Sequence, residues 1–166
     1  FEDTGITMRK ADYEDMDSLN EALKGVDTLL QISTTSMGER GIGQELNVVE
    51  AAKRQGVGSI VYTSGLKPDN DAHFLAVQQC LRTEEAILNS GMSYTFLRNS
   101  LYMETIPLFM GNAVEEGGFY LSAGKGKVSF VSREDIAEAL CTVLTGDGHR
   151  NKIYEITGSD SFSFDD

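Results

Sequence analysis

Ser93-Tyr-Thr-Phe-Leu-Arg-Asn-Ser-Leu-Tyr-Met-Glu104 changes character halfway along. In its first half Tyr94 and Phe96 alternate with Thr95 and Leu97, so the two pairs point to opposite faces, and aromatic and β-branched residues dominate as in a buried strand. The apolar run then stops at Arg98-Asn99-Ser100, with Tyr102 and Glu104 just beyond. Open α/β sheets bind ligands in the crevice outside the carboxyl ends of parallel strands, so a strand with this ending directs attention to how the other strands end.

Working outward, Gly5 to Ala11 reads as a short strand ending at Asp12-Tyr13. A helix follows, capped by Asp15 or Asp17, with Leu19, Ala22, Leu23 and Val26 on one face and Gly25 as its stop. Asp27 to Ser33 is a mostly apolar strand that dissolves into Ser33-Thr34-Thr35-Ser36. A loop with Gly38, Gly41 and Gly43 precedes a helix marked by Leu46, Val49 and Ala52, which stops at Gly56. Ser59 to Thr63 is β-rich and ends in Thr63-Ser64-Gly65. A loop with Pro68 and His73 leads to a helix whose predicted buried side carries Phe74, Val77, Leu81 and Leu88. Strand and helix thus alternate in steps of about 30 residues, the spacing of right-handed βαβ units in a parallel sheet.

Beyond Glu104 the pattern loosens. Residues 106–114 suggest a helix, and residues 119–121 and 127–131 two short strands around a turn at Gly124 and Gly126. Ser132 to Asp135 resembles a capping box. It opens a helix with Ile136, Ala137, Leu140, Val143 and Leu144 as its predicted buried face and Cys141 beside them. Lys152 to Thr157 alternates as a last strand, and Ser161 to Asp166 has the look of a helix start. Met103, Phe109 and Met110 could line a pocket, but ordinary core packing is the expectation for them.

The 166 residues suit one domain, spanning 1–166. With 14 Lys and Arg against 26 Asp and Glu, the formal charge of −12 repels phosphate backbones and anionic lipid. Nucleic acid and membrane surfaces are therefore not expected partners. No apolar run approaches the roughly 20 residues of a bilayer span. Cys80 and Cys141 lack metal spacing and read as free thiols in a reducing cytoplasm, and no metal site is expected. The chain starts at Phe1 rather than Met, and the pattern suggests a fragment cut at both ends.

Ala11-Asp12-Tyr13, Leu30 to Ser33, Val48 to Lys53 with Gly56-Val57, Val61 to Ser64, Thr83-Glu84 with Ser90-Gly91, Tyr94 to Asn99 and Lys152 to Glu155 form an ordered set. Together they resemble the NmrA-like branch of the atypical short-chain dehydrogenase/reductases, nearest to bacterial NAD(P)H:quinone oxidoreductases. The resemblance implies a Rossmann-like doubly wound parallel sheet of order 3-2-1-4-5-6, in which residues 6–10 match the third strand. The first two strands, their glycine-rich phosphate loop and part of the C-terminal lobe would then lie outside this chain. An upstream βαβ unit is expected, because residues 6–10 would otherwise be a strand with no neighbour.

The same resemblance places Asp12 and Tyr13 near the adenine of an NADP or NAD cofactor, NADPH being slightly favoured. It places Ser33, Thr34 and Thr35 along the ribose and pyrophosphate. Asn99, Ser100, Leu101, Tyr102, Met103 and Glu104 fall near the nicotinamide, and Arg133 reaches the cofactor from a helix start, where a solvated first-turn arginine is the plain alternative. Tyr102 is the candidate for orienting substrate, with a packed surface tyrosine as the plain alternative. The Tyr-x-x-x-Lys pair usual in this superfamily is replaced by Ala76 and Cys80, which argues against carbonyl reduction and epimerisation. Hydride transfer to a quinone, a strong acceptor, survives that loss. The other implied role is a non-catalytic, dinucleotide-binding redox sensor that regulates a partner. His73 reads as an exposed structural histidine.

Overall fold

The computed structural model describes residues 5–118, 123–163 and 166. Four parallel strands lie in chain order in one sheet: β1 (Thr28–Ile32), β2 (Ser59–Gly65), β3 (Ser93–Asn99) and β4 (Lys152–Ile156). Between and around them run α1 (Met16–Ala22), α2 (Gly38–Arg54), α3 (Leu75–Leu88), a 3-10 turn (Met103–Thr105), α4 (Ile106–Met110), α5 (Ala113–Glu116) and α6 (Arg133–Thr145). The doubly wound arrangement predicted from the sequence is the one found: α2 and α3 cover one face of the sheet and α6 covers the other.

Alternation along the strands assigns the faces. Ile60, Tyr62 and Phe96 join Val49, Cys80 and Ile87 under α2 and α3. Tyr62 meets Phe96 edge-on, with ring centroids 6.3 Å apart, and Tyr94 stacks on Phe96 at 4.6 Å. On the opposite face Val61 and Leu97 pack against Val131, Ile136 and Leu140 of the α6 region. Each such fully buried side chain is worth about 1.5–3 kcal/mol relative to exposure, so both faces contribute. A third cluster, Leu19, Leu23, Val48, Ala51, Ala52 and Val57, fastens α1 to α2. Asp15 caps α1 by accepting from the backbone N–H groups of Asp17 and Ser18, and Ser132 caps α6 by accepting from Asp135 N–H at 3.0 Å.

Several sequence expectations need correction. Residues 6–10 are not a strand; they run exposed, with Ile6 56% and Met8 69% accessible. With only β2 beside β1, this segment has no ladder to join, and its backbone stays solvated. Arg9 instead pins it to α1 by donating to the carbonyls of Ala22 (2.8 Å) and Lys24 (2.7 Å), which the helix end leaves free. Residues 127–131 form bridges rather than a strand: Val131 pairs with Tyr102, and Val128 with Phe162. The strand predicted at 119–121 lies outside the described residues. The single helix expected over 106–114 is broken at Gly111, whose φ is +50°. On α6, Ala137 and Leu144 are exposed.

The largest departure concerns α3. Phe74 (52%) and Leu88 (51%) are exposed, and the helix buries Gln79, Cys80, Thr83, Glu84 and Ile87 instead. Polar residues can occupy an interior face only where partners are built for them, and α2 and β3 supply those partners.

The three glycines expected in a loop belong to the first turns of α2. Gly41 is required there: a Cβ would lie 2.1 Å from the Ser36 carbonyl oxygen and 2.3 Å from Gln79 Oε1, whereas at Gly43 nothing lies within 4 Å. Gly41→Ala is therefore expected to destabilise the fold by about 1–3 kcal/mol through overpacking. Gly43→Ala is expected to stabilise it by up to about 1 kcal/mol through helix propensity. Chemical denaturation of both variants checks this; shifts of the same sign would contradict the close approach at Gly41.

Candidate active site

Parallel pairing brings four carboxyl ends to one edge of the sheet. Ile32 is in register with Thr63, Gly65 with Asn99, and Asn99 with Ile156. The segments leaving these ends form two walls.

The first wall leaves β1. Ser33 N–H donates to Thr63 Oγ1 (3.0 Å), and Thr34 N–H to Glu45 Oε1 (3.0 Å). Thr34 Oγ1 donates to Gln44 Oε1 (2.7 Å) and accepts from Ser36 N–H (3.2 Å). Thr35 is exposed. Tyr13 joins this wall: its hydroxyl donates to the Ile32 carbonyl (3.3 Å), and its own carbonyl accepts from Asn47 Nδ2 (3.0 Å). Burial, then the nearby Glu45, pushes the Tyr13 phenol above its ordinary pKa, so it stays a donor. Asp12 is exposed, and its carboxylate accepts from Glu14 N–H (2.9 Å) within its own turn.

The second wall leaves β3. Asn99 and Ser100 are buried, and Ser100 N–H donates to the Ile156 carbonyl (2.9 Å). Val131 N–H donates to the Leu101 carbonyl (3.0 Å) and Met103 N–H to the Val131 carbonyl (2.9 Å), which fixes Tyr102 between them. The Arg133 guanidinium lies over the Tyr102 ring, 5.6 Å from its centroid. Glu104 Oε1 accepts from Arg133 N–H (2.9 Å), and that bond leads the influences that hold its carboxyl below the usual range. Asn99 Nδ2 approaches the Tyr102 hydroxyl at 3.5 Å, while Asn99 Oδ1 is buried without a partner. A buried acceptor left open at a strand end is a place for a ligand donor.

The predicted residues thus assemble as two groups, Tyr13 with Ser33 to Thr35 and Asn99 to Glu104 with Arg133. The side chain of Asp12 is occupied elsewhere. Arg98 and Ser64, grouped by sequence with the polar strand ends, turn beneath the crevice. Arg98 donates to both oxygens of buried Glu84 (3.0 and 2.6 Å), and Ser64 Oγ to one of them (2.7 Å). Met103 (50%), Phe109 (39%) and Met110 (41%) are exposed rather than in the core. Cys141, expected buried, is exposed; Cys80 is buried, and burial pushes its thiol pKa up. His73 is exposed as expected. The buried carboxyls Glu45 and Glu84 were missed. Glu45 shares the helical stripe of Val48, Val49 and Ala52, and that spacing was the available signal.

A cavity of about 430 Å³ lies at the opposite edge, lined in part by Thr28, Ser59, Thr95, His149 and Arg150. None of the unpaired buried polar atoms (on Gln31, Gln79 and Asn99) belongs to its lining, so chemistry favours the carboxyl edge over this hollow. Among the described residues there is no cluster suited to a metal ion, and no helix long and apolar enough to cross a membrane.

Residues 1–162 match the NmrA-like family. The chain is 41% identical to quinone oxidoreductase 2 of Escherichia coli over 96% of its own length and 55% of that protein's. It thus spans about half the length of the curated relatives it matches. Among solved structures it is similar to a Citrobacter triphenylmethane reductase complexed with NADP(H) (TM-score 0.86, 36% identity, 99% of this chain and 58% of that one). An Escherichia coli NADPH-dependent quinone oxidoreductase complexed with NADPH compares equally well (TM-score 0.86, 40% identity, 96% and 56%).

Two outcomes follow for the ground beneath the crevice. Arg98→Met leaves Glu84 buried without its cation and is expected to cost about 2–4 kcal/mol by denaturation, with much of it recovered in Glu84→Leu/Arg98→Met. A loss no larger than for an exposed pair would contradict the assignment. In the folded chain a thiol reagent at neutral pH is expected to label Cys141 and spare Cys80; rapid double labelling would contradict the buried position of Cys80.

Proposed function

Because the chain belongs to the NmrA-like family, we propose that it is the core of an NAD(P)H-dependent oxidoreductase that transfers hydride from the nicotinamide to a quinone. The observation that supports this most is the second wall: buried Asn99 with an open Oδ1, followed by Tyr102 held between Val131 and Arg133. NADPH is the cofactor proposed, in keeping with the NADPH and NADP(H) bound to the two similar structures. A cytoplasmic setting, which supplies reduced nucleotide and keeps both thiols free, suits it.

The residues fit the group. Ser33 to Thr35 are proposed to flank its ribose and pyrophosphate, with Tyr13 near the adenine. The open Asn99 oxygen is suited to accept from the carboxamide of the nicotinamide. When bound, the cofactor supplies the hydride. Asn99, Ser100 and Leu101 are proposed to fix the ring against the strand ends, so that proximity and orientation provide most of the rate. Tyr102, steadied by Arg133, would orient the flat acceptor. The exposed Met103, Phe109 and Met110 would exclude water from one side. No tyrosine–lysine acid is present where the superfamily has one, since Ala76 and Cys80 stand there. The reduced quinone would take its proton from water, which a strong acceptor permits.

Steady-state oxidation of NADPH with a simple benzoquinone by the full-length protein tests the reading, and saturable turnover is expected. Tyr102→Phe is expected to raise the quinone KM about three- to tenfold, with the NADPH KM little changed. Tight NADPH binding without turnover would overturn the enzyme reading in favour of a dinucleotide-binding sensor.

A further inference from the structure

Glu45 is completely buried within α2, yet its carboxyl group accepts four hydrogen bonds from three other elements. Thr34 N–H (3.0 Å) and Gln79 Nε2 (2.8 Å) donate to Oε1; Thr83 Oγ1 (2.8 Å) and the Tyr62 hydroxyl donate to Oε2. Burial first, then nearby Cys80 and Glu45, raises the Tyr62 phenol far above its ordinary pKa, so it remains a donor. Gln31 Nε2 adds a bond to the Glu45 backbone carbonyl (3.2 Å).

Stability alone is a poor account of this group. A buried carboxyl without a facing cation is costly, and filling such a place with apolar side chains is often neutral or stabilising. What the arrangement does provide is direction. Tyr62 on β2 and Thr83 on α3 hold Oε2 from behind, while Oε1 is shared by Gln79 Nε2 on α3 and the backbone N–H of Thr34 in the first wall. The loop must therefore follow the carboxyl rather than the reverse. Gly41 permits that close approach, because the Ser36 carbonyl lies where its Cβ would be.

We infer that Glu45 is a positioning residue for the cofactor: through the Thr34 N–H it sets the loop 33–36 in the form that presents Ser33 and Thr35 to the dinucleotide. This rests on the oxidoreductase reading above.

The test is NADPH binding followed by fluorescence, with thermal melting of each variant in the same buffer. Glu45→Leu is expected to weaken NADPH binding about tenfold or more, through the loss of the hydrogen bond that the carboxyl group accepts and of the order it imposes. Glu45→Gln, which keeps an acceptor at Oε1, is expected to stay within about threefold of the natural protein. Thr83→Val removes a donor on the far side and is expected to lower the melting temperature while leaving NADPH affinity within about twofold. A folded Glu45→Leu that binds NADPH normally would overturn the inference. So would a Thr83→Val whose affinity falls in step with its stability. Should Glu45→Leu not fold, hydrogen exchange decides: the Thr34 amide is expected to be slow in both the natural protein and Glu45→Gln, and exchange as fast as at exposed Thr35 would overturn the role. If the natural protein binds no NADPH, the oxidoreductase reading fails by itself, and exchange at Thr34 still decides whether Glu45 sets the loop.

Discussion

The carboxyl group of Glu45 is the constraint to which much of the rest is fitted. It ties the exit of β1 to β2 and α3 through four donors, with no room for a side chain at Gly41 beside it. A buried polar centre of this kind tolerates little displacement, because every partner released would be left unpaired in a low dielectric. It also explains why α3 turns Gln79 and Thr83 inward while Phe74 and Leu88 face solvent. A second centre, Glu84 with Arg98 and Ser64, repeats the device between α3, β2 and β3. The two together fix the height of α3 under the strand ends.

Above this floor, the parallel register does the remaining work. Four strands that end together place two groups at one edge of the sheet, one built from Ser33 to Thr35 with Tyr13, the other from Asn99 to Glu104 with Arg133. The second wall is braced by backbone bonds to Val131 and by the Glu104 cap on α6, so its polar groups are presented by rigid elements. Its charged groups are already engaged, Glu104 with the Arg133 N–H and the Arg133 guanidinium with the Tyr102 ring. That composition is consistent with a reaction in which position matters more than proton transfer.

Sequence showed much of this and hid the rest for identifiable reasons. The strands were legible because Phe96 and Leu97, or Val61 and Tyr62, alternate between two buried faces. The polar edge of the sheet was legible because the apolar runs stop together, at Ser33, Ser64 and Asn99. The face of α3 was misread because hydrophobic periodicity assumes an apolar interior, whereas here two carboxyls and their partners occupy it. Residues 6–10 carry a strand-like pattern, but a strand exists only where a neighbour supplies its ladder. Arg98 reads as part of the site by position alone; only the geometry shows its charge committed to Glu84.

The central claim is that a dinucleotide lies along the carboxyl edge. Mapping the amides that NADPH protects from hydrogen exchange tests it most directly. Protection at Ser33 to Thr35, at Asn99 to Glu104 and at Arg133 is the predicted result. A footprint confined to the opposite edge, around Thr28, Ser59 and His149, would contradict it.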